Sequence, residues 1–167
     1  MDAAALAAGL KLAMRRMPGP VSLITTCDPD SGDPAGMIVS AVIPVSMDPP
    51  SMLVAVNRDS SCHSVIERAG RFCVNLLNTE QTSYVLPFST AEGRDRRFLE
   101  DGWSKNDGIP YLAESCASIF CEVRTTLIHG THELFIGNAY DVRCDDGSVL
   151  RALGWVEGAF ADFRALV

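Results

Sequence analysis

An apolar run ends at Asn57 and is followed directly by the polar residues Arg58, Asp59, Ser60 and Ser61. The two serines offer hydroxyl donors, and Arg58 offers a positive charge. If a helix begins just after them, its first backbone N–H groups are also free to donate. Donors of this kind, gathered in one turn, are suited to hold a phosphate group.

The same segment also allows a purely structural interpretation. Ser61 could cap the following helix, and Ser64 could do so in a capping box with Glu67. The spacing of these residues does not decide between a helix cap and a phosphate site, so both interpretations remain open at this stage.

Ser40 is the one hydroxyl inside the apolar, strand-like run 35–46, which ends at Ser46. In one continuous strand, alternation would place Ile38, Ser40 and Val42 on the same face. Ser40 is then either a core serine with a satisfied hydroxyl, or part of a strand edge whose backbone meets a flat heteroaromatic ligand. Pro44 cannot donate to a strand ladder, which predicts a bulge or a sheet edge at that position.

Two histidines, His129 and His132, flank a predicted hairpin turn. A metal site would need further ligands at suitable spacing, and His63 is the only other histidine in the chain. We therefore expect one histidine of the turn to line a pocket and the other to be exposed. The sequence contains no GxSxG, HExxH, GxGxxG or Walker-type loop, so we expect a cofactor to supply the reactivity.

The composition is that of a globular protein, with 47% hydrophobic and 21% charged residues over 167 positions. We predict one domain over residues 1–167. The net charge of -7 argues against nucleic acid and anionic membranes as partners. The sequence shows neither a secretory signal nor an apolar run long enough to span a membrane, and its six cysteines form no CxxC pair. We expect reduced thiols and a cytoplasmic location.

The elements that must position these residues are mostly strands. Their predicted ranges are 21–27, 35–46, 51–57, 71–77, 116–128, 132–144 and 148–156, with helices over 3–16 and 62–69. Residues 79–100 are expected to be helical or irregular, and 101–112 to form a loop. Six or seven strands joined mainly by short turns predict a mainly β, antiparallel barrel with peripheral helices.

Several spaced segments resemble the flavin reductase-like family, the short-chain reductase components of two-component flavin monooxygenases of the 4-hydroxyphenylacetate 3-monooxygenase reductase type. The similar segments are 17–26 (MPGPVSLITT), 36–81, 96–103 (RRFLEDGW) and 121–142. The resemblance implies an FMN-binding split β-barrel of Greek-key-like topology that forms a homodimer. It also implies an NAD(P)H:flavin oxidoreductase that transfers hydride from NADH or NADPH to FMN or FAD and supplies reduced flavin to a partner monooxygenase.

The resemblance also implies site residues, carried over by position. The flavin-binding set is Ile38, Val39, Ser40, Ala41, Asn57, Ser60, Ser61, Phe88, Ser89 and Arg97. Within it, Ser40 and Ala41 would meet the flavin ring, Asn57 and the two serines would hold the ribityl chain and the phosphate, and the last three would close the site. His132 would be the catalytic residue on the nicotinamide side.

The chain departs from the family pattern at a few positions. Ile38 stands where Thr is usual, Pro44 where Ser or Thr is usual, and Thr131 where Asp is usual, while Phe160 occupies a position where an aromatic, often Tyr, is expected. The choices between FMN and FAD and between NADH and NADPH stay open. The alternatives are an FMN-containing reductase of another acceptor such as a cobalt corrinoid, a non-catalytic flavin-binding protein, and a structural protein without a ligand.

Overall fold

The computed structural model describes residues 2–144 and 151–164, which are built mainly from antiparallel strands. The helices are Ala3–Arg15 (α1), His63–Ala69 (α2) and Val85–Ser89 (α3), with short 3-10 turns at Thr82–Tyr84 and Arg94–Arg96. The strands are Gly19–Pro20 (β1), Ser22–Cys27 (β2), Pro34–Val39 (β3), Val42–Met47 (β4), Pro50–Asn57 (β5), Arg71–Leu76 (β6), Trp103–Asn106 (β7), Ile109–Leu112 (β8), Ala117–His129 (β9), His132–Arg143 (β10), Ala152–Val156 (β11) and Ala159–Phe163 (β12).

Seven strands form one antiparallel sheet in the order β3-β2-β6-β9-β10-β5-β4. Residues of β3 also lie close to β5, although the two strands are not neighbours in that order. The Ser60 hydroxyl, just after β5, lies 3.4 Å from the Met37 thioether on β3. The sheet therefore curls until its two sides approach each other, and the prediction of a mainly β, antiparallel fold is confirmed.

The core lies on both faces of β2, whose residues 22–26 are all buried. On one face, Ile24 packs with Phe72 and Phe135 inside the curled sheet. On the other face, Leu23 packs with Phe88 and with side chains of β8 and β11. A strand covered on both sides is expected to be rich in β-branched residues, as the sequence SLITTC is.

A buried polar network ties the β7–β8 hairpin to the sheet. The Asn75 side chain donates to the Leu23 carbonyl at 2.9 Å and accepts from the Leu112 backbone N–H at 2.9 Å. The Ser118 hydroxyl donates to the same side chain at 3.1 Å. Because buried polar groups are costly when unpaired, these bonds fix the hairpin over the outer face of the sheet.

The single strand expected over 35–46 is wrong, because the structure divides it into β3 and β4 at Ser40 and Ala41. β3 pairs with β2, whereas β4 pairs with β5, so the chain changes partners at the break. The alternation of faces consequently does not continue through Ser40, which is exposed. The expectation for Pro44 is confirmed, since β4 is an edge strand with a register shift between Pro44 and Ser46.

Two further expectations need correction. Residues 101–112 are not a loop throughout, because they contain the β7–β8 hairpin, whose turn residues Asp107 and Gly108 have φ angles of 48° and 83°. An Asp-Gly pair favours such a turn. The last predicted strand is observed as β11, followed by the unexpected β12, while residues 148–150 lie outside the described residues. Among the helices of the described residues, none is long and apolar enough to cross a membrane.

Candidate functional site

The polar turn after β5 is held by its own hydrogen bonds. The Asn57 side chain accepts from the Asp59 backbone N–H at 3.0 Å, and the Asn57 carbonyl accepts from the Ser60 N–H at 3.0 Å. The Ser60 hydroxyl accepts from the Cys62 N–H at 3.1 Å. The helix-cap interpretation through Ser61 or Ser64 is therefore wrong, because α2 begins at His63 without a side-chain cap.

The two serines open onto a polar pocket of about 400 Å³ between this turn, β3 and the segment after α3. Its lining includes seven of the residues expected at the flavin site: Ile38, Asn57, Ser60, Ser61, Phe88, Ser89 and Arg97. Gly36, Met37, Asp59, Thr90, Ala91 and Arg94 complete the wall. A volume of this size lies in the range of small-molecule sites.

An apolar pocket of about 230 Å³ adjoins the polar one, and the two share Ile38 and Ser89. Val39 and Ser40 line this apolar pocket, as do Trp155 and Phe160 from the β11–β12 hairpin. The aromatic rings of those two residues meet edge to face, with centroids 5.4 Å apart. Together the pockets form one cleft that is polar at one end and apolar at the other.

Ala41 and His132 lie outside both pockets. The Ala41 carbonyl accepts from the Ala55 N–H at 3.1 Å, so its backbone serves the start of the β4–β5 hairpin. His132 is exposed, pairs with Asn57 across β10 and β5, and has its Nδ1 atom 2.9 Å from the Thr131 hydroxyl. His129 is exposed as well, so the expectation that one of the two histidines lines a pocket is not met by the described chain.

Arg97 lies in the wall of the polar pocket but is occupied by backbone carbonyls. Its guanidinium donates to the carbonyls of Pro87, Thr90 and Gly36 at 2.7, 3.0 and 3.3 Å. It also lies 5.4 Å from the centre of the Phe88 ring. Burial lowers the pKa of this guanidinium, and the nearby charge of Arg94 acts in the same direction. Arg97 therefore fixes the segment after α3 against β3.

Arg94 is a charged residue of the polar pocket that the sequence analysis missed. It lines the polar pocket, and the ion pairs found among the described residues all use other side chains. With Arg97 and Asp59 also present, the charged side chains of the pocket sum to a net positive value. That charge suits an anion held beside the serine hydroxyls.

The thiols near the site are buried and held in their protonated form. Cys62 follows the serine turn, but burial raises the pKa of its thiol to about 12, against a weaker opposing effect of Arg97. Cys73 and Cys121 are buried, as expected of small core residues, whereas Cys116 is half-buried. A thiol held in its protonated form cannot attack a substrate.

Groups of three or more potential metal ligands are absent from residues 2–144 and 151–164.

The curled antiparallel sheet, with a cleft that is polar at one end and apolar at the other, defines a split-barrel protein. Residues 14–164 match the family model described as the flavin reductase like domain, and the chain belongs to this family. The resemblance noted in the sequence is thereby confirmed.

The relatives carry consistent names. The chain is 37% identical over 125 residues to the reductase component of an FADH(2)-dependent resorcinol hydroxylase from Rhizobium sp. (strain MTP-10005), covering 74% of this chain and 70% of that one. It is 39% identical over 140 residues to a flavin reductase (NADPH) from Lentzea aerocolonigenes, covering 81% and 79%. A solved structure of the styrene monooxygenase flavin reductase from Pseudomonas putida S12 has the same fold, with a TM-score of 0.81, 22% identity and coverage of 95% and 99%.

Proposed function

We propose that this chain is an NAD(P)H-dependent flavin reductase that supplies reduced flavin to a partner monooxygenase. The observation that carries the proposal is the continuous cleft, whose polar end holds hydroxyl and guanidinium donors and whose apolar end is lined by strand backbone and aromatic side chains. Named relatives support the same reaction, among them reductases described as using NADPH or NADH. They favour this reaction over a corrinoid reductase or a passive flavin carrier.

The donor set fits FMN, and equally the FMN portion of FAD. Ser60 and Ser61 would donate to the phosphate, Arg94 would balance its charge, and Asn57 would shape the turn that presents the serines. When bound, the flavin supplies the chemistry by accepting hydride from the nicotinamide. A second relative in structure, a Streptomyces globisporus NADH:FAD oxidoreductase with 21% identity and a TM-score of 0.82, was solved with NAD and FAD fragments.

The apolar end would receive the flavin ring. Val39 and Ser40 border it where the chain leaves β3. Ser40 lies between the paired residues of β3 and β4, so its backbone is outside both ladders. Trp155 and Phe160 line the same pocket with their aromatic side chains. Apolar walls exclude water from the ring, and a fixed stacking surface orients it for transfer, so the protein need not supply a nucleophile.

The function is tested by steady-state oxidation of NADH and NADPH with added FMN, added FAD or no flavin. We expect added flavin to accelerate the oxidation of the nucleotide. The flavin-dependent rate should rise in direct proportion to enzyme concentration. A protein that binds FMN without oxidising either nucleotide would be a passive carrier. Oxidation that needs a corrinoid acceptor, and that free flavin leaves unchanged, would support the alternative reductase.

We expect His132→Ala to slow flavin reduction by about tenfold while changing flavin affinity much less. His132 lies on β10, where it pairs with Asn57 at the end of the neighbouring strand β5. It would contact the nicotinamide rather than the phosphate end of the flavin. Anaerobic stopped-flow measurement of flavin bleaching gives the rate, and His129→Ala on the same hairpin is the matched control. If both variants reduce flavin at the wild-type rate, His132 has no part in the reaction.

We also propose that the chain works as a homodimer. Every residue of α1 is exposed, including its apolar stripe, in which Leu6 and Leu10 are 62% and 59% exposed. Within residues 2–144 and 151–164, the end of this helix is fastened at Glu157. The Arg15 side chain donates to the Glu157 carbonyl at 3.1 Å, and the Glu157 N–H donates to the Arg15 carbonyl at 2.6 Å. Leu127 and Ile128 are likewise exposed on β9. Apolar surface of this extent is typical of a subunit interface.

Glutamate at both Leu6 and Leu10 should raise the dissociation constant of the dimer by about 100-fold or more, because the new charges would have to be buried unpaired. Sedimentation equilibrium measures the constant directly. Leu99→Glu places the same charge at a leucine that is 74% exposed on another part of the surface and should leave the dimer intact. A wild-type monomer, or a double variant that dimerises normally, would contradict the proposal.

Two further assignments complete the proposal. Residues 1–167 would act as one domain, in keeping with a family match that reaches from residue 14 to residue 164. The cytoplasm would be the working compartment, since the six cysteines are free thiols and the reductants are intracellular nucleotides.

A further inference from the structure

Among the contacts of basic side chains with carboxylates in the described residues, one differs from all the others in being buried on both sides. The Nε2 atom of His63 lies 2.7 Å from a carboxylate oxygen of Glu133, and the two side chains are 10% and 7% exposed. In each of the other pairs, at least one side chain is about half exposed or more. Neither residue lines the cleft described above.

The pair joins the two segments that the reaction must keep together. His63 is the first residue of α2, two positions after Ser61, and Glu133 directly follows His132 on β10. A second link runs in parallel, because the Arg58 backbone N–H donates to the Thr131 carbonyl at 3.0 Å. The serine turn and the β9–β10 hairpin turn are therefore tied at two points.

Both side chains of the pair, His63 and Glu133, are held in the state that the hydrogen bond requires. The His63 ring meets the Phe135 ring edge to face, with centroids 5.5 Å apart, which fixes the plane of the imidazole. The hydrogen bond from His63 is the main reason that the pKa of the Glu133 carboxyl is lowered, so the carboxylate remains an acceptor. Buried ion pairs add little net stability compared with apolar replacements, and in some proteins they specify a geometry instead.

We propose that His63 and Glu133 are positioning residues that hold the serine turn at a fixed distance from the hairpin carrying His132. Through this link, the serine turn that would bind the flavin phosphate and the hairpin that would receive the nicotinamide keep a fixed relative position. The inference rests on the proposed function, because it assigns the two ligand regions to those two segments. Neither residue touches flavin or nicotinamide in this account.

The test compares Glu133→Ala with Glu133→Gln, whose amide oxygen can still accept from His63. In Glu133→Ala we expect the preference for FMN over riboflavin and the rate of flavin reduction each to fall by about tenfold, since small displacements are costly in a preorganised site. Glu133→Gln should restore both quantities to within about threefold of the wild type. His63→Ala removes the link from the other side and should reproduce the loss if Glu133→Ala does not fold.

Ser118→Ala is the matched control for lost stability, because it breaks a buried hydrogen bond in the network around Asn75 rather than at the site. It should lower the melting temperature yet keep both the FMN preference and the reduction rate. Unchanged values in Glu133→Ala, or equal losses in Ser118→Ala, would overturn the positioning role. The binding ratio needs no turnover, so a wild-type protein that fails to oxidise NAD(P)H would refute the reductase function separately.

Discussion

A variant carrying both Ser60→Ala and Ser61→Ala will bind FMN roughly 10²- to 10⁴-fold more weakly, while its affinity for riboflavin changes by less than about threefold. Only FMN carries the phosphate that the two hydroxyls would contact. A hydrogen bond to a charged group contributes about 1.5–3 kcal/mol, so two of them account for the range. Fluorescence titration of both ligands at one ionic strength measures the two affinities.

The single variants Ser60→Ala and Ser61→Ala separate phosphate binding from the geometry of the turn. The Ser60 hydroxyl also accepts from the Cys62 N–H and contacts Met37, so its removal loosens the turn itself. Ser61 is exposed, so its removal should affect phosphate binding alone. Ser64→Ala, on the exposed face of α2, changes the same residue type outside the pocket and should leave both affinities intact. Equal losses of FMN and riboflavin in the double variant would exclude a phosphate site at this turn.

The serine turn could be predicted from sequence because its signal is local. The apolar run 52–56 ends abruptly at Asn57, and the polar residues 57–61 follow it without a break. Arg94 could not be predicted in the same way. It lies in the charged segment 92–97, where the local pattern does not show which arginine faces inward, and only the fold reveals that Arg97 is occupied by three carbonyls.

The strands likewise divide into those with a local sequence signal and those whose bounds depend on non-local pairing. Strands flanked by turn residues, such as β2 and β5, were predictable from composition and spacing. The break at Ser40 was not, because it arises when β3 and β4 take partners on different sides of the sheet, a choice made by non-local pairing. The short β7–β8 hairpin did carry a local signal in Asp107-Gly108, but its strands have only four residues each and alternate weakly.

The exposed apolar residues of α1 show another limit of prediction from sequence. The stripe on α1 was visible in the sequence and predicts a helix, which is observed. An apolar stripe normally indicates the face that packs on the core, yet the described chain leaves this one uncovered. The proposed dimer would give this stripe a partner surface, which a single chain cannot show.

Phe88→Ala should cost about 3–5 kcal/mol of unfolding free energy and also impair the site. The ring is buried at the junction of the second core cluster and the polar pocket, with Phe98 and Trp103 centroids 5.0 and 5.8 Å away. Gly36 makes room for it, since a Cβ atom there would lie 3.0 Å from the ring. Removal of the ring therefore leaves a cavity in the core and deprives Arg97 of its stacking partner.

Phe72→Ala is the matched control, because Phe72 is buried in the first core cluster and does not line the cleft. Urea unfolding should give similar losses for the two variants. Phe88 lines the polar pocket, but its ring carries no donor for a phosphate, so its removal should weaken FMN and riboflavin alike, by about tenfold. Phe72→Ala should leave both affinities of the folded fraction unchanged. If the two variants lose stability equally and bind flavin equally well, Phe88 serves the core alone, and the closing wall of the site must lie elsewhere.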